Sequence, residues 1–264
     1  MPNILVFLPS IKNIKDVTEL INNDTTDCFF ENLNKEIQFC VEELHGGLKP
    51  SEKQYVMRKS DEQSYVRIIL ATRIAETALT LDNIVYVLDS GMEREYFFDE
   101  IARLDYLQEQ RITLSSATQR QGRAGRVRSG FCYKMYTQEE EEKMPEFKEA
   151  EILRTDISDV ILNSYKLIEY FKLDDLLYSE KLDKKKMIKV TQELLRLGAL
   201  ENQDGNNVVT NKGNFLIQMN LKLRVASLLY ETLRMNIPEL GILAASALKM
   251  ARGFFKHKVS YYFN

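Results

Sequence analysis

Nearly continuous apolar runs in the N-terminal half constrain the fold of this chain more than any other feature. They occupy residues 4–8, 66–71 and 83–89, and they lack the strict alternation of apolar and polar residues expected of a strand with one wet face. Strands of this kind are buried on both faces and are typical of parallel sheets covered by helices. Because residues 11–22 have the spacing of an amphipathic helix, we predict an α/β fold with right-handed crossovers.

Weaker patterns complete the predicted sheet domain. Short strands are expected near residues 37–41 and 131–136, and Pro50 is well placed in the first turn of a helix that starts near Ser51. Residues 72–81 must supply a turn and a short helix between two strands. Ligands of such sheets bind beyond the carboxyl ends of the strands, which is where the polar segments of this chain fall.

An arginine-rich stretch at residues 119–126 reads Gln-Arg-Gln-Gly-Arg-Ala-Gly-Arg. Arg120, Arg123 and Arg126 recur at a spacing of three, which places side chains on one face of a helix. No Asp or Glu occurs between positions 111 and 137. Since arginine forks bind phosphate in a bidentate manner, we expect these guanidiniums to converge as a polyphosphate clamp. The alternative is a solvated basic turn.

A second polar stretch, residues 71–82, follows a predicted strand directly and reads Ala-Thr-Arg-Ile-Ala-Glu-Thr-Ala-Leu-Thr-Leu-Asp. The hydroxyl of Thr72 and nearby backbone N–H groups could bind a nucleic-acid phosphate. Thr72 and Asp82 could instead be caps of a short helix, a common role for these residue types.

Together the two stretches resemble motifs of superfamily 2 helicases, and they are most similar to those of DEAH-box RNA helicases. The resemblance implies that residues 1–143 form the second RecA-like domain, facing ATP bound mainly by a first domain. By the same resemblance, side chains with three roles can be assigned. Gln119 contacts phosphate, Arg123 and Arg126 act as arginine fingers, and Thr80 and Asp82 face the nucleotide.

Further positions are assigned to RNA or nucleotide by the same resemblance. The turn at Gly46 and Gly47 is similar to one whose backbone N–H groups bind an RNA phosphate, and Thr72 continues that track. Arg73 stands where the family usually has Asn, and it adds a charge that attracts phosphate. Met57 aligns with a position that contacts the nucleotide base, although a core methionine on an amphipathic helix is the alternative.

Residues 92–114 correspond to a β-hairpin that projects toward the nucleic acid in DEAH-type helicases. Aromatic residues and arginines are concentrated there, among them Tyr96, Phe97, Phe98, Arg103 and Tyr106. Such aromatic rings can stack on bases, or they can pack the hairpin onto its neighbours.

The C-terminal half has mostly helical periodicity. Residues 151–154 resemble the entry to the winged-helix domain of the same family, and helices are predicted at 157–171 and 186–197. A hairpin turn signal, Gln-Asp-Gly-Asn, follows at 203–206. We predict a winged-helix domain at 144–218 and, from helical patterns at 221–233 and 237–250, the truncated start of a helical-bundle (ratchet) domain at 219–264.

Composition limits the kinds of surface, compartment and site that the chain can be expected to have. The formal net charge is −3 and the sequence pI is about 5.7, so any nucleic-acid surface must be a local basic patch. The three cysteines are odd in number and show no C-x-x-C spacing, which favours a reducing compartment, nuclear or cytoplasmic, and argues against a disulfide framework and a zinc site. The two histidines are too few and too isolated to suggest a metal centre. No apolar run reaches the roughly 20 residues of a membrane span.

Neither G-x-x-x-x-G-K-[ST] nor D-E-x-H occurs in the sequence, although a helicase motor needs both. We therefore interpret the chain as the C-terminal half of an ATP-dependent RNA helicase that is inactive alone. ATP and Mg²⁺ would be held mainly by the missing first RecA-like domain. Single-stranded RNA would be a further partner, and an activator protein is another candidate. The alternative is a non-enzymatic nucleic-acid-binding or regulatory module, and another kind of P-loop NTPase ranks lower.

Overall fold

The computed structural model describes residues 2–23, 38–58, 65–77, 81–100, 104–125, 129–167 and 184–251. The chain divides into two compact units. The first comprises Met1–Glu95 with Gln108–Lys148, and the second comprises Tyr96–Leu107 with Glu149–Asn264.

The first unit is built on a five-stranded parallel sheet with the strand order β2-β3-β1-β4-β7. Its strands are β1 (Asn3–Phe7), β2 (Gln38–Leu44), β3 (Tyr65–Ala71), β4 (Ile84–Asp89) and β7 (Phe131–Lys134). Every residue of β1, β3 and β4 is buried or half-buried, because both faces of these central strands are covered. The parallel sheet predicted from the apolar runs is therefore confirmed.

Helices follow the strands of this sheet along the chain, in the alternation that the sequence predicts. They are α1 (Ile11–Asn23), α2 (Pro50–Val56), α3 (Ile74–Thr77), α4 (Leu114–Gln121) and α5 (Gln138–Glu142). The core includes Leu5, Phe7, Ile69 and Val87, all with no exposed surface. Asn83 has a φ of 59°, so it takes the left-handed turn that its residue type tolerates best after glycine.

A two-stranded sheet is made of β5 (Met92–Asp99) and β6 (Leu104–Arg111). This confirms the strands of the predicted hairpin. Arg103 lies outside the described residues.

The second unit is mostly helical. It contains α6 (Glu151–Arg154), α7 (Ser158–Leu167), α8 (Lys184–Arg196), α9 (Asn211–Met219), α10 (Leu223–Arg234) and α11 (Pro238–Ala251). A cluster of buried side chains, including Ile161, Leu194, Leu216 and Ala226, forms its core. The described part of the chain contains no helix that is long and apolar enough to cross a membrane.

A short antiparallel hairpin follows α8 in this unit, formed by β8 (Leu200–Gln203) and β9 (Asn206–Val209). Asp204 and Gly205 have φ values of 51° and 88°, as a tight two-residue hairpin turn requires. Gly198 ends α8 with a φ of 71°. The predicted helix–hairpin order is confirmed, whereas the winged-helix assignment and the three domain boundaries stay predictions.

Candidate functional site

The polar segments that follow the strands meet at the carboxyl edge of the sheet. Backbone hydrogen bonds continue beyond the strands and align these segments: Leu8 N–H donates to the Ala71 carbonyl at 2.8 Å, and Thr72 N–H donates to the Leu44 carbonyl at 3.1 Å. The turn after β2, Thr72 and the start of α3 therefore share one edge, where parallel sheets bind their ligands.

The glycine turn after β2 has free space beside Gly46, and some of its backbone groups form hydrogen bonds within the chain. A Cβ added at Gly46 would meet no atom within 4 Å, so a ligand can approach the backbone there. The N–H of Gly47 donates to Nδ1 of His45 at 3.2 Å, and Lys53 Nζ donates to the Gly46 carbonyl at 3.1 Å. One of the two glycines assigned to RNA thus already uses its amide within the chain.

Arg73 has a partner that its sequence neighbourhood does not suggest. Its Nη1 forms an ion pair with Glu95 Oε1, and its side chain is 49% exposed while that of Glu95 is 3% exposed. Thr72 is half-buried, and its carbonyl accepts the N–H of Ala75 at 3.2 Å as α3 begins. The charge at position 73 is therefore held in place by a carboxylate on β5.

Helix α4 carries the first half of the arginine motif. Its N-cap is Thr113, whose hydroxyl oxygen accepts from the Ser116 N–H at 3.2 Å. The N–H of Leu114 donates to the Pro145 carbonyl at 3.0 Å, so protein groups occupy the start of this helix. Gln119 is exposed in its last turn.

Arg120 lies inside the sheet unit, which corrects the expectation that all three arginines of the motif converge on one anion. It is 1% exposed. Its Nε donates to Glu76 Oε1 at 2.7 Å and its Nη1 donates to Asp89 Oδ1 at 2.6 Å. The sequence has no acidic residue near Arg120, but α3 and β4 bring two carboxylates to it in space.

The surroundings of Arg120 keep it charged. Burial alone lowers its pKa, but attraction by Asp89 and Glu76 outweighs burial and raises it. Asp89 also accepts from the Gly91 N–H at 2.9 Å and from the Tyr136 hydroxyl at 3.3 Å. The network therefore ties α3, α4 and β4 together in one fixed arrangement.

Arg123 lies beyond the end of α4, on a turn, so it does not share a helix face with Arg120. It is 4% exposed, and its Nη2 donates to the backbone carbonyl of Glu76. Both arginines thus reach the same residue of the other motif, one through its carboxylate and one through its carbonyl. Arg126, the third arginine of the motif, lies outside the described residues.

Comparison with known proteins identifies this unit. Residues 1–128 match the family model described as the helicase conserved C-terminal domain. The chain is 36% identical over 163 residues to the human ATP-dependent RNA helicase DHX29, covering 62% of this chain and 11% of that protein. It is 32% identical over 241 residues to the putative ATP-dependent RNA helicase ucp12 of Schizosaccharomyces pombe, covering 86% of this chain and 17% of that protein.

Residues 1–128 therefore match a helicase C-terminal domain, and relatives of the chain are named as ATP-dependent RNA helicases, a DExH-box helicase of Arabidopsis thaliana among them. A crystal structure of the Escherichia coli DEAH/RHA helicase HrpB superposes with a TM-score of 0.78 at 25% identity, covering 94% of this chain and 30% of that one. This match confirms the RecA-like α/β fold class. The chain spans 11% and 17% of the length of the two curated relatives named above.

The other residues that the sequence assigns to the nucleotide, Asp82, Met57 and Thr80, differ in their surroundings. Asp82 is half-buried in the turn before β4, and its carbonyl accepts from Asn3 Nδ2 at 3.0 Å. Met57 packs against the core of the sheet unit, as its alternative interpretation expects, and its contact with a nucleotide base stays a prediction. Thr80 lies outside the described residues.

The hairpin aromatics of the helicase domain divide between packing and exposure. The rings of Phe97 and Tyr106 stack across the two strands with their centroids 5.8 Å apart. Arg154 places its guanidinium carbon 6.0 Å from the Phe97 ring centroid, whereas Tyr96 is exposed. Packing accounts for Phe97 and leaves the ring of Tyr96 accessible.

Three acidic residues of this site were missed from the sequence: Glu76, Asp89 and Glu95. Asp89 had a detectable signal, because a charged residue at the end of an otherwise apolar buried strand needs a partner. The signal for Glu95 was weaker and consisted only of the alternation along β5, in which Glu93 and Glu95 are buried and Met92 and Arg94 are half-buried.

Proposed function

We propose that this chain is the C-terminal half of an ATP-dependent RNA helicase, in which Arg123 and Arg126 act as arginine fingers. The observation that carries the proposal is the difference between the partners of Arg120 and Arg123. Arg120 is fixed by two carboxylates, whereas Nη2 of Arg123 donates to a neutral backbone carbonyl. A guanidinium pairs more strongly with a phosphate than with a neutral carbonyl, because the opposite charges attract and the planar fork can bind two phosphate oxygens at once, so a triphosphate can displace the carbonyl of Glu76.

The buried Arg120 network serves this role by fixing the end of α4. That end presents exposed Gln119 and leads directly into the turn that carries Arg123. Gln119 then contacts phosphate, and Thr80 and Asp82 face the nucleotide. ATP with Mg²⁺ supplies the phosphoryl group, and both are held mainly by a first RecA-like domain upstream.

The proposed RNA track runs along the carboxyl edge of the sheet, through Gly46, Gly47, Thr72 and Arg73. The open face at Gly46 and the half-exposed guanidinium of Arg73 support it. The relatives DHX29 and ucp12 are named as ATP-dependent RNA helicases, which supports RNA as the ligand. Single-stranded RNA, the upstream domain and an activator protein are the proposed partners, in a nuclear or cytoplasmic setting.

The second unit has an accessory role in this proposal. Helices α7 and α8 followed by the β8–β9 hairpin support a winged-helix domain at 144–218, and α10 and α11 support the start of a helical bundle at 219–264. These parts brace the RecA-like domains as ATP bridges them and as hydrolysis releases them, which shifts the grip on RNA.

The test is RNA-stimulated ATP hydrolysis by this chain joined to its upstream RecA-like domain. Arg123→Ala is expected to lower the turnover by about 10³-fold or more, as the removal of an arginine finger does. The matched control is Arg111→Ala, which removes an exposed arginine of the same unit that pairs with Glu140. Normal turnover in Arg123→Ala would refute the finger assignment, and the isolated chain is expected to hydrolyse no ATP.

The second candidate function is a nucleic-acid-binding or regulatory module without ATPase activity. The 4% exposure of Arg123 favours it, because a buried guanidinium does not reach a nucleotide in this arrangement. RNA binding by the joined protein with no RNA-stimulated hydrolysis would select this function over the motor.

A further inference from the structure

Four charged side chains form a compact cluster beside the loop that follows β3: Arg73, Glu93, Glu95 and Lys148. Arg73 Nη1 and Lys148 Nζ both contact Glu95 Oε1, the lysine at 3.0 Å. Lys148 also contacts Glu93 Oε2 at 2.5 Å. The cluster is therefore a chain of alternating charges in which Lys148 bridges the two carboxylates and Arg73 stands at one end.

The cluster has a buried acidic floor and an exposed basic rim. The side chains of Glu93 and Glu95 are 1% and 3% exposed, whereas those of Lys148 and Arg73 are 31% and 49% exposed. Within the described part of the chain, Oε1 of Glu93 is buried without a hydrogen-bond partner. Buried carboxylates require paired cations, so Lys148 holds both of them in place.

The guanidinium of Arg73 is anchored through one of its nitrogen atoms. Among the described residues its contact is the Nη1–Glu95 ion pair, and an arginine offers five N–H donors in a planar fork. The remaining donors lie on a half-exposed side chain directly after Thr72. They can take a phosphate in a bidentate manner while Glu95 keeps the side chain in one rotamer.

We propose that Glu95, braced by Lys148, is the positioning residue that aims Arg73 at a backbone phosphate of single-stranded RNA. The inference rests on the proposed RNA track and deepens it. A free arginine side chain loses rotamer freedom when it binds, and the ion pair with Glu95 removes part of that loss beforehand. Lys148 offsets the negative charge of Glu95, so the anchor does not repel the incoming phosphate as an isolated carboxylate would.

The experiment measures the affinity of the full chain for fluorescein-labelled oligouridylate by fluorescence anisotropy. Glu95→Ala is expected to weaken binding about three- to tenfold, since Arg73 loses its anchor. Glu95→Gln is expected to restore binding to the wild-type level or above, because the amide oxygen still accepts from Arg73 and carries no negative charge. The matched control is Glu93→Ala, which removes an equally buried carboxylate of the same strand that contacts Lys148 and not Arg73.

A second set of variants, made in a protein that carries Arg73→Asn, tests whether Glu95 acts through Arg73. Arg73→Asn is expected to weaken binding and to reduce the slope of log affinity against log salt by about 0.7, the loss of one phosphate contact on a single strand. In the Arg73→Asn background, Glu95→Ala is expected to have no further effect. Equal weakening by Glu95→Ala in both backgrounds, or tighter binding by Glu95→Ala alone, would overturn the positioning role.

The outcomes also separate this inference from the function on which it rests. If Arg73→Asn weakens binding and Glu95→Ala leaves it unchanged, the positioning role fails and the RNA track stands. If the wild-type chain does not bind the oligouridylate, the RNA track fails and the inference fails with it.

Discussion

The guanidinium of Arg120 donates to the carboxylate of Glu76 at 2.7 Å, although the two residues are 44 positions apart in sequence. This ion pair joins the two stretches that carry the helicase resemblance, because Glu76 lies in α3 and Arg120 lies in α4. Arg123 reaches the carbonyl of the same glutamate. The two motifs therefore form one structural unit rather than two independent binding loops.

Replacement of Arg120 by Ala is expected to destabilise the fold strongly. The change leaves the buried carboxylates of Glu76 and Asp89 without their shared cation, which typically costs about 3–5 kcal/mol. Urea denaturation followed by circular dichroism measures the free energy of unfolding. Arg111→Ala, which breaks an exposed ion pair with Glu140, is the control and is expected to cost about 1 kcal/mol or less. Equal losses in the two variants would contradict the structural role of Arg120.

Replacement of Arg123 by Ala is expected to cost less stability than replacement of Arg120. Arg123 is also buried, but its Nη2 donates to the neutral carbonyl of Glu76, and an unsatisfied neutral group costs about 1–3 kcal/mol. The same denaturation measurement ranks the two variants. A loss in Arg123→Ala as large as that in Arg120→Ala would mean that Arg123 is a structural residue, and the finger assignment would weaken accordingly.

The fold of the sheet unit was predictable because its signals are local. Nearly continuous apolar runs identify β1, β3 and β4 as strands that must be covered on both faces, and the structure confirms this. The Asp-Gly turn at 204–205 likewise sets the β8–β9 hairpin through the positive φ values that these two residues tolerate.

The environment of the arginines was not predictable, because it depends on which strands become neighbours. Counting acids along the sequence found none near Arg120, yet the pairing of β1 with β4 and the placement of α3 surround it with carboxylates. The helical spacing of the motif also failed as a guide, since α4 ends at Gln121 and Arg123 lies on the turn beyond it.

The Tyr136 hydroxyl is expected to give the fold a dependence on alkaline pH. Burial, followed by the negative charge of Asp89, raises its pKa above the ordinary value of about 10. Because the unfolded chain releases this proton first, the stability contributed by Tyr136 is complete below about pH 10 and is lost as the pH rises toward the folded pKa. The unfolding free energy should therefore decrease more from about pH 8 to about pH 11 in the wild type than in Tyr136→Phe. The same decrease in both proteins would show that Tyr136 does not contribute to this pH dependence.

Substitutions at Gly213 and Gly46 are expected to have different effects, the first on stability and the second on RNA binding. A Cβ at Gly213 would lie 2.2 Å from the Ala199 carbonyl oxygen, so Gly213→Ala is expected to destabilise the second unit by about 1–3 kcal/mol.

A Cβ at Gly46 would meet nothing within 4 Å, so Gly46→Ala should change the unfolding free energy by at most about 0.5 kcal/mol. If RNA backbone approaches the turn after β2, the added methyl group will still occupy the space that a phosphate needs. Gly46→Ala should then weaken oligouridylate binding several-fold at unchanged stability, and unchanged affinity would remove this turn from the RNA track.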